Sequence, residues 1–217
     1  MLFLCSGKFV LFSAAMLIRI HPEDPQPRLI RQVAECLKDG GVIIYPTDTI
    51  YGLGCDILQQ KAVEKICMIK GIDPRKAMLS FICRDLSHLS VYTKSIGTPL
   101  YRMLKQYLPG PFTFILPASK LVPKILQNKK STIGLRIPDN RICHDILDAL
   151  GNPLLSASLP GEMVEEYTDP EVIYEKFGKQ VDFVIDGGIG GMVPSTIIDC
   201  SSDNREVTRQ GLGVFEI

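Results

Sequence analysis

No sign of charge dominates this chain: 24 Lys and Arg stand against 24 Asp and Glu over 217 residues, a formal net charge of zero. A protein dedicated to a polyanion or an acidic membrane surface tends to announce it in global charge, and this one does not. Nor does any apolar stretch approach the ~20 residues that cross a bilayer, so no membrane partner is expected. The seven cysteines (Cys5, Cys36, Cys55, Cys67, Cys83, Cys143, Cys200) are odd in number, widely spaced and without a C-x-x-C pair. That pattern argues against a disulfide framework and a structural zinc. Most of these thiols sit in apolar runs that read as core, and a reducing cytoplasm fits. The glycine patterns that cradle nucleotides are missing as well. No G-x-x-x-x-G-K occurs, and Gly52-Leu53-Gly54 opens like a dinucleotide fingerprint but lacks its third glycine. Any triphosphate would have to be held by side-chain cations and scattered backbone amides.

What is present is an ordinary globular composition, 46% apolar and 22% charged, in a chain long enough for one domain with a substantial core. The charges are segregated. Lys61–Arg84 carries a local balance of +4, Lys120–Arg141 one of +5, and Glu162–Glu175 one of −6 with no base. If the two basic segments meet in space they form a polyanion groove; if not, they are solvated faces. The N-terminal stretch Met1–Ala15 is apolar around Lys8, but its uninterrupted run Phe9–Phe12 is shorter than the ~7–15 residues of a signal-peptide core. A start at Met16, with residues 1–15 an upstream-start artefact or tail and residues 16–217 the domain, is the expectation.

The chain is organised around Tyr45-Pro46-Thr47-Asp48-Thr49-Ile50-Tyr51-Gly52-Leu53-Gly54-Cys55-Asp56. A short β-branched run ends at Pro46, and a polar turn with two glycines follows. Hydroxyls and a carboxylate at a strand end either cap the strand or line a pocket for a polar ligand. Helical periodicity predicts helices over Arg28–Lys38, Lys61–Lys70, Pro99–Leu108, Asn140–Leu150 and Pro170–Phe177. Short apolar runs predict strands at Leu17–Ile20, Val42–Tyr45, Leu79–Cys83, Phe112–Leu116, Thr132–Ile137, Leu154–Ser156, Val181–Ile185, Thr196–Asp199 and Glu206–Arg209. Alternating helices and strands, with strand-only connections near the end, predict an α/β fold (α+β in strict usage): one three-layer domain on a twisted mixed sheet.

Candidate anion-holding cations are Lys70, Arg75, Lys76 and Arg136, with Arg136 favoured because its strand stops at Pro138, where doubly wound sheets bind ligands. Ser156 and Ser158 put two hydroxyls at a strand end, as a satisfied turn or a site. Gly187-Gly188-Ile189-Gly190-Gly191, before Pro194-Ser195-Thr196, is a loop that could cradle a phosphate or simply turn the chain. Cys143-His144-Asp145 invites a catalytic reading, but neighbours on a helix point about 100° apart, so a structural role is expected.

Together, the Tyr45–Cys55 stretch, Pro109-Gly110-Pro111-Phe112-Thr113, Gly134-Leu135-Arg136-Ile137-Pro138, Pro153–Ser158 and Pro194–Asp199 resemble the YrdC-like superfamily of L-threonylcarbamoyladenylate synthases, in the family's order. Ile20–Ile30 and Cys83–Ser87 resemble its YciO branch. The resemblance implies a nucleotidyltransferase-type reaction in which threonine, bicarbonate and ATP give threonylcarbamoyl-AMP and pyrophosphate, serving N6-threonylcarbamoyladenosine formation in tRNA. Magnesium would arrive on the ATP phosphates, with no metal ligand from the protein. The resemblance places Thr47 and Tyr51 on the threonine side and Lys70, Arg136, Ser156 and Ser158 on nucleotide and phosphates, with Thr113, Ser195 and Arg209 supporting the pocket. It also implies a concave basic surface for double-stranded RNA or tRNA. Two signature positions depart. Ile72 stands where the synthases' K-x-R arginine belongs, with Arg75 the nearest substitute, and Pro160 stands where their S-x-x-x-N asparagine belongs. A proline supplies neither an amide side chain nor an N–H. Two readings follow: weakened or altered synthase chemistry, or a non-catalytic, translation-associated RNA-binding protein on the same fold.

Overall fold

The computed structural model describes residues 15–73, 79–126, 130–161, 167–202 and 204–216. Among the described residues ten strands form one sheet: β1 (Met16–Arg19), β2 (Ile43–Tyr45), β3 (Gly52–Asp56), β4 (Ser80–Ile82), β5 (Phe112–Pro117), β6 (Thr132–Arg136), β7 (Leu154–Ser158), β8 (Phe183–Asp186), β9 (Thr196–Asp199) and β10 (Glu206–Arg209). Their spatial order is β1-β8-β2-β3-β7-β4-β6-β5-β9-β10. The pairs β1–β8, β8–β2, β4–β6 and β5–β9 are parallel and the other five antiparallel. The mixed sheet expected from the alternation of elements is therefore present.

Side chains alternate across this sheet, so each strand feeds two cores. Ile44, Leu53, Cys55, Phe81, Leu135, Leu155, Val184 and Phe114 face one cluster, which includes residues of helices α2 (Gln60–Lys70), α3 (Leu86–Val91), α4 (Thr98–Tyr107) and α6 (Pro170–Phe177). Ile43, Tyr45, Ile82, Leu154, Phe183 and Ile185 face the other, beneath α1 (Pro27–Lys38) and α5 (Arg141–Leu150), which pack on each other. Sheet and two helical layers make the three-layer architecture.

The helices end as their sequences direct. Gly71 and Gly151 adopt φ of 65° and 81° beyond α2 and α5, a conformation costly for residues with a Cβ. Asn140 accepts from the Cys143 N–H to start α5. Helix α3 was not expected, because six residues are too short to show a period. It is set by its cap, Asp85 accepting from the His88 N–H at 2.7 Å.

The main departure concerns Gly52–Asp56, expected as a turn but observed as a central strand buried throughout. Its glycines have a packing reason. The ring of Tyr45, on the neighbouring β2, lies across them, so a Cβ on Gly54 would stand 2.7 Å from Tyr45 Cε1 and 2.8 Å from the Leu155 carbonyl oxygen. Ala15 closes the sheet's first edge: it is buried, and its N–H donates to the Gly178 carbonyl at 3.1 Å. The rest of the stretch expected to be an upstream-start artefact or tail, residues 1–14, lies outside the described residues.

Overpacking of this kind costs about 1–3 kcal/mol. Gly54→Ala is therefore expected to lower unfolding stability by about 2 kcal/mol in urea titration. Gly71→Ala, which meets no neighbour within 4 Å, loses only the left-handed preference, about 1 kcal/mol.

Candidate functional site

On the face beneath α1 and α5, large apolar residues give way to small and polar ones between β3 and β5. Gly54, Ser156, Ser80 and Gly134 sit opposite one another across four strands, and therefore on one face. Here a cleft opens, about 750 Å3 including its solvent-open mouth, lined by Thr47, Tyr51, Lys70, Ile72, Ser80, Thr113, Arg136, Ser156, Ser158, Ser195 and Arg209 among others. Nine of the eleven pocket residues singled out from the sequence thus share one cavity, although they come from seven places in the chain. The other two, Arg75 and Lys76, lie outside the described residues.

Arg136 is not an open cation. Its Nη2 is ion-paired with Asp48 Oδ1 and donates to Thr49 Oγ1 at 2.7 Å, and both charged side chains are about nine-tenths buried. Thr47 donates its hydroxyl proton to the Ile50 carbonyl at 2.7 Å. The Thr47–Thr49 hydroxyl contact at 3.1 Å must then be donated by Thr49, since a hydroxyl carries one proton. A relay runs from Arg136 through Thr49 and Thr47 to the backbone of the turn, and the Thr47 hydroxyl, expected to face a ligand, is engaged within it.

Tyr51 is similarly occupied. Its hydroxyl donates to the Gly188 carbonyl at 2.7 Å and accepts from the Gly187 N–H at 3.2 Å. Burial pushes the phenol up to about 12, against the favourable Gly187 N–H. The glycine loop is therefore tied to Tyr51, and it packs so tightly that a Cβ on Gly191 would stand 2.1 Å from the Thr49 carbonyl oxygen. Asp186 Oδ1 holds the same loop through the Gly188 N–H at 2.9 Å.

The remaining groups are a surplus of donors. Lys70 Nζ donates to the Ser158 carbonyl at 2.6 Å and the Ser158 hydroxyl at 3.2 Å, which leaves one of its three N–H bonds. Burial holds its ammonium below the ordinary lysine range. Ser156 Oγ accepts from the Tyr45 hydroxyl at 2.8 Å and keeps its own proton. Thr113 and Ser195 share one hydrogen bond at 2.9 Å, so one hydroxyl proton remains between them. Arg209 grips the Ser195 carbonyl at 3.1 and 2.7 Å. Burial and then the nearby Arg136 charge hold its guanidinium below its usual range. Among the described residues, neither Lys70 nor Arg209 has a carboxylate within ion-pair distance.

The two basic segments do meet, since β4 and β6 pair in parallel. Much of their charge is answered internally: Lys65 by Asp182, Arg84 by Asp85 and Asp148, Arg136 by Asp48, Arg141 by Asp145. Cys143, His144 and Asp145 form no triad. The Cys143 thiol donates to the Pro46 carbonyl at 3.2 Å, His144 Nε2 contacts the Pro138 carbonyl at 2.8 Å, and Asp145 pairs with Arg141 at 2.9 Å. Sequence reasoning missed Asp48, Thr49, Tyr45 and Ser80 as parts of the site. Asp48 and Thr49 lay within the stretch already singled out, but nothing local pointed to an arginine 88 residues away.

Comparison with known proteins places this geometry in a family. The family model Sua5_yciO_yrdC, described as telomere recombination, matches residues 35–211. YciO of Escherichia coli (strain K12) is 46% identical over 197 residues, 89% of this chain and 94% of that one. The crystal structure of E. coli YciO matches with a TM-score of 0.86 at 43% identity, covering 92% of this chain and 97% of that chain. A threonylcarbamoyl-AMP synthase of Coxiella burnetii (strain RSA 493) is 30% identical over 167 residues, 77% of this chain and 89% of its own length. P. abyssi Sua5, in its crystal structure complexed with L-threonine, matches with a TM-score of 0.83 at 28% identity, over 91% of this chain and 58% of that one. The cleft, its flanking strands and the stretch around Thr47 all fall inside the matched region, and the chain belongs to the Sua5/YciO/YrdC family, related to the threonylcarbamoyl-AMP synthases.

Proposed function

We propose that the cleft binds an adenine nucleotide with L-threonine and supports threonylcarbamoyl-AMP synthase-type chemistry, altered at the phosphate end. The observation that carries this reading is the donor surplus. Lys70, Arg209, Ser156, Ser158 and the Thr113–Ser195 pair offer N–H and O–H groups into one cavity with no open carboxylate among the described lining residues. Such a site selects a ligand rich in acceptors and negative charge. That P. abyssi Sua5 was crystallised with L-threonine supports threonine as one occupant.

In the proposed reaction the threonine nitrogen bonds to the bicarbonate carbon, the carbon–hydroxyl bond breaks and water leaves, and an oxygen of the resulting carbamate attacks the α-phosphorus of ATP. The bond to the β-phosphate oxygen breaks, and pyrophosphate leaves. The chain's part is positioning and charge neutralisation, with Lys70, Ser156 and Ser158 on the nucleotide side. Magnesium would travel on the phosphates and supply further charge neutralisation. Ile72 puts an apolar side chain into the cleft beside Lys70, so one cation fewer faces the departing pyrophosphate than in a K-x-R site. Pro160 contributes only its carbonyl, which accepts from the Tyr167 hydroxyl at 2.5 Å.

Incubation with ATP, threonine and bicarbonate, followed by chromatography for the adenylate, tests the reading. Slow product formation is expected, lost in Lys70→Ala. Absence of product at high protein concentration, with double-stranded RNA still retained, would favour the RNA-binding reading instead. Ile72→Arg is expected to tighten ATP binding about tenfold, the scale of one added charge in a partly desolvated site. Because burial lowers the Lys70 pKa, the charged form that holds phosphate is lost at lower pH than for an ordinary lysine. ATP affinity should thus fall as the pH is raised, with the fall beginning at lower pH than an ordinary lysine would give, and Lys70→Arg should flatten it. Arg136→Ala is a poor probe of binding. It strands the buried Asp48 carboxylate, and unfolding stability should drop by about 3–5 kcal/mol.

A further inference from the structure

The buried pair of Arg136 and Asp48 is poorly built as a stabilising device. A guanidinium and a carboxylate can meet through two parallel hydrogen bonds, yet here the pair meets through Nη2 and one carboxylate oxygen. Asp48 Oδ2 and Arg136 Nε are buried without hydrogen-bond partners. Burying two charges and leaving a polar atom of each unsatisfied is costly, and an apolar pair of similar volume would be no worse for stability. The pair's position suggests a different use. Arg136 ends β6, midway along the strands β7-β4-β6-β5-β9 that run beneath the cleft. Lys70 is bonded to Ser158 on β7, at one end of that series, and Arg209 to Ser195, next to β9, at the other. At about 4.8 Å per strand, the two ends are roughly 19 Å apart along the sheet.

We propose that Asp48 is a specificity-determining residue that sets the charge pattern of the cleft. By holding Arg136 it neutralises the central cation and leaves Lys70 and Arg209 as the open ones among the described residues that line the cleft. A ligand with negative charge at two separated places then fits, and a compact polyanion lying over the centre is rejected. The adenylate reading meets this pattern with a threonine carboxylate at one place and a phosphate at another, and to that extent the inference deepens the proposed function. The charge pattern itself is a property of the cleft, whatever reaction it serves. Asp48 acts through Arg136, so its effect is on which anion binds and with what salt dependence.

Inorganic pyrophosphate, a compact polyanion, is the probe, with binding followed by titration calorimetry at several salt concentrations. Asp48→Asn keeps the size of the side chain and its hydrogen-bonding oxygen but removes the countercharge. It is expected to bind pyrophosphate about tenfold more tightly than the native chain, with a steeper salt dependence. Asp48→Glu should return the affinity to the native level, and D48N/R136M, which removes both charges, should abolish the gain. A purely structural role would leave the salt dependence unchanged. The inference is overturned if D48N binds pyrophosphate no more tightly than the native chain, or if D48E gains as much as D48N. It is equally overturned if the gain survives in D48N/R136M. Should that double variant fail to fold by circular dichroism, the D48E comparison decides. Adenylate formation by the native chain is measured separately: its absence would remove the synthase reading and leave the charge assignment standing.

Discussion

The ion pair between Arg136 and Asp48 is the constraint on which the cleft depends, because it is a buried charged contact between two distant parts of the chain, Asp48 on the turn after β2 and Arg136 at the end of β6. Arg136 belongs to β6, on the half of the sheet that includes β5, β9 and β10; Asp48 belongs to the loop between β2 and β3, on the other half. Through Thr49 and Thr47 the same guanidinium fixes the turn's backbone, and the turn in turn bears on the glycine loop after β8. The loop is held again by Tyr51 and by Asp186. One charged contact thus ties the walls of the cavity to each other, and those walls, in this arrangement, are lined with hydroxyls.

That role explains the unusual economy of the site. Thr47, Thr49 and Tyr51 look like ligand contacts in the primary structure, and all three line or border the cleft, but their hydroxyls are committed to the protein. The groups with protons to spare are Ser156, Ser158 and Lys70 on one side and the Thr113–Ser195–Arg209 cluster on the other. Preorganisation is the consequence: the engaged hydroxyls hold a shape, and the uncommitted donors meet the ligand without first giving up an internal partner.

Much of this was legible in the sequence. The helices could be read from their periodic faces, and most strands from short apolar runs closed by Pro or Gly, because local patterning and burial agree in those elements. Strand β3 could not, since Gly52 and Gly54 carry the chemistry of a turn and are glycine for a tertiary reason, the Tyr45 ring lying over them. Helix α3 was hidden by its length. For the site, residue types at strand ends pointed to the right cavity, but not to the partner of each side chain. Arg136 looked like the best free cation and turned out to be paired, because its partner lies 88 residues away on another loop. Arg209, from the last strand, has no carboxylate partner among the described residues.

Placed beside the family relationship, the arrangement suggests where members with different chemistry can diverge. The row of small residues Gly54, Ser156, Ser80 and Gly134 across β3, β7, β4 and β6 is a packing requirement: a Cβ on Gly134 would already stand 3.1 Å from Ser80 Cβ. The Tyr45–Ser156 bond at 2.8 Å and the glycine loop are constrained in the same way. Ile72, by contrast, lines the open cleft and packs only at the margin of the core, partly buried, so substitution there changes chiefly what the cavity presents. The physically inexpensive way to alter what this scaffold binds is therefore to change the charge presented by the cleft's open wall, where Ile72 stands with Lys70.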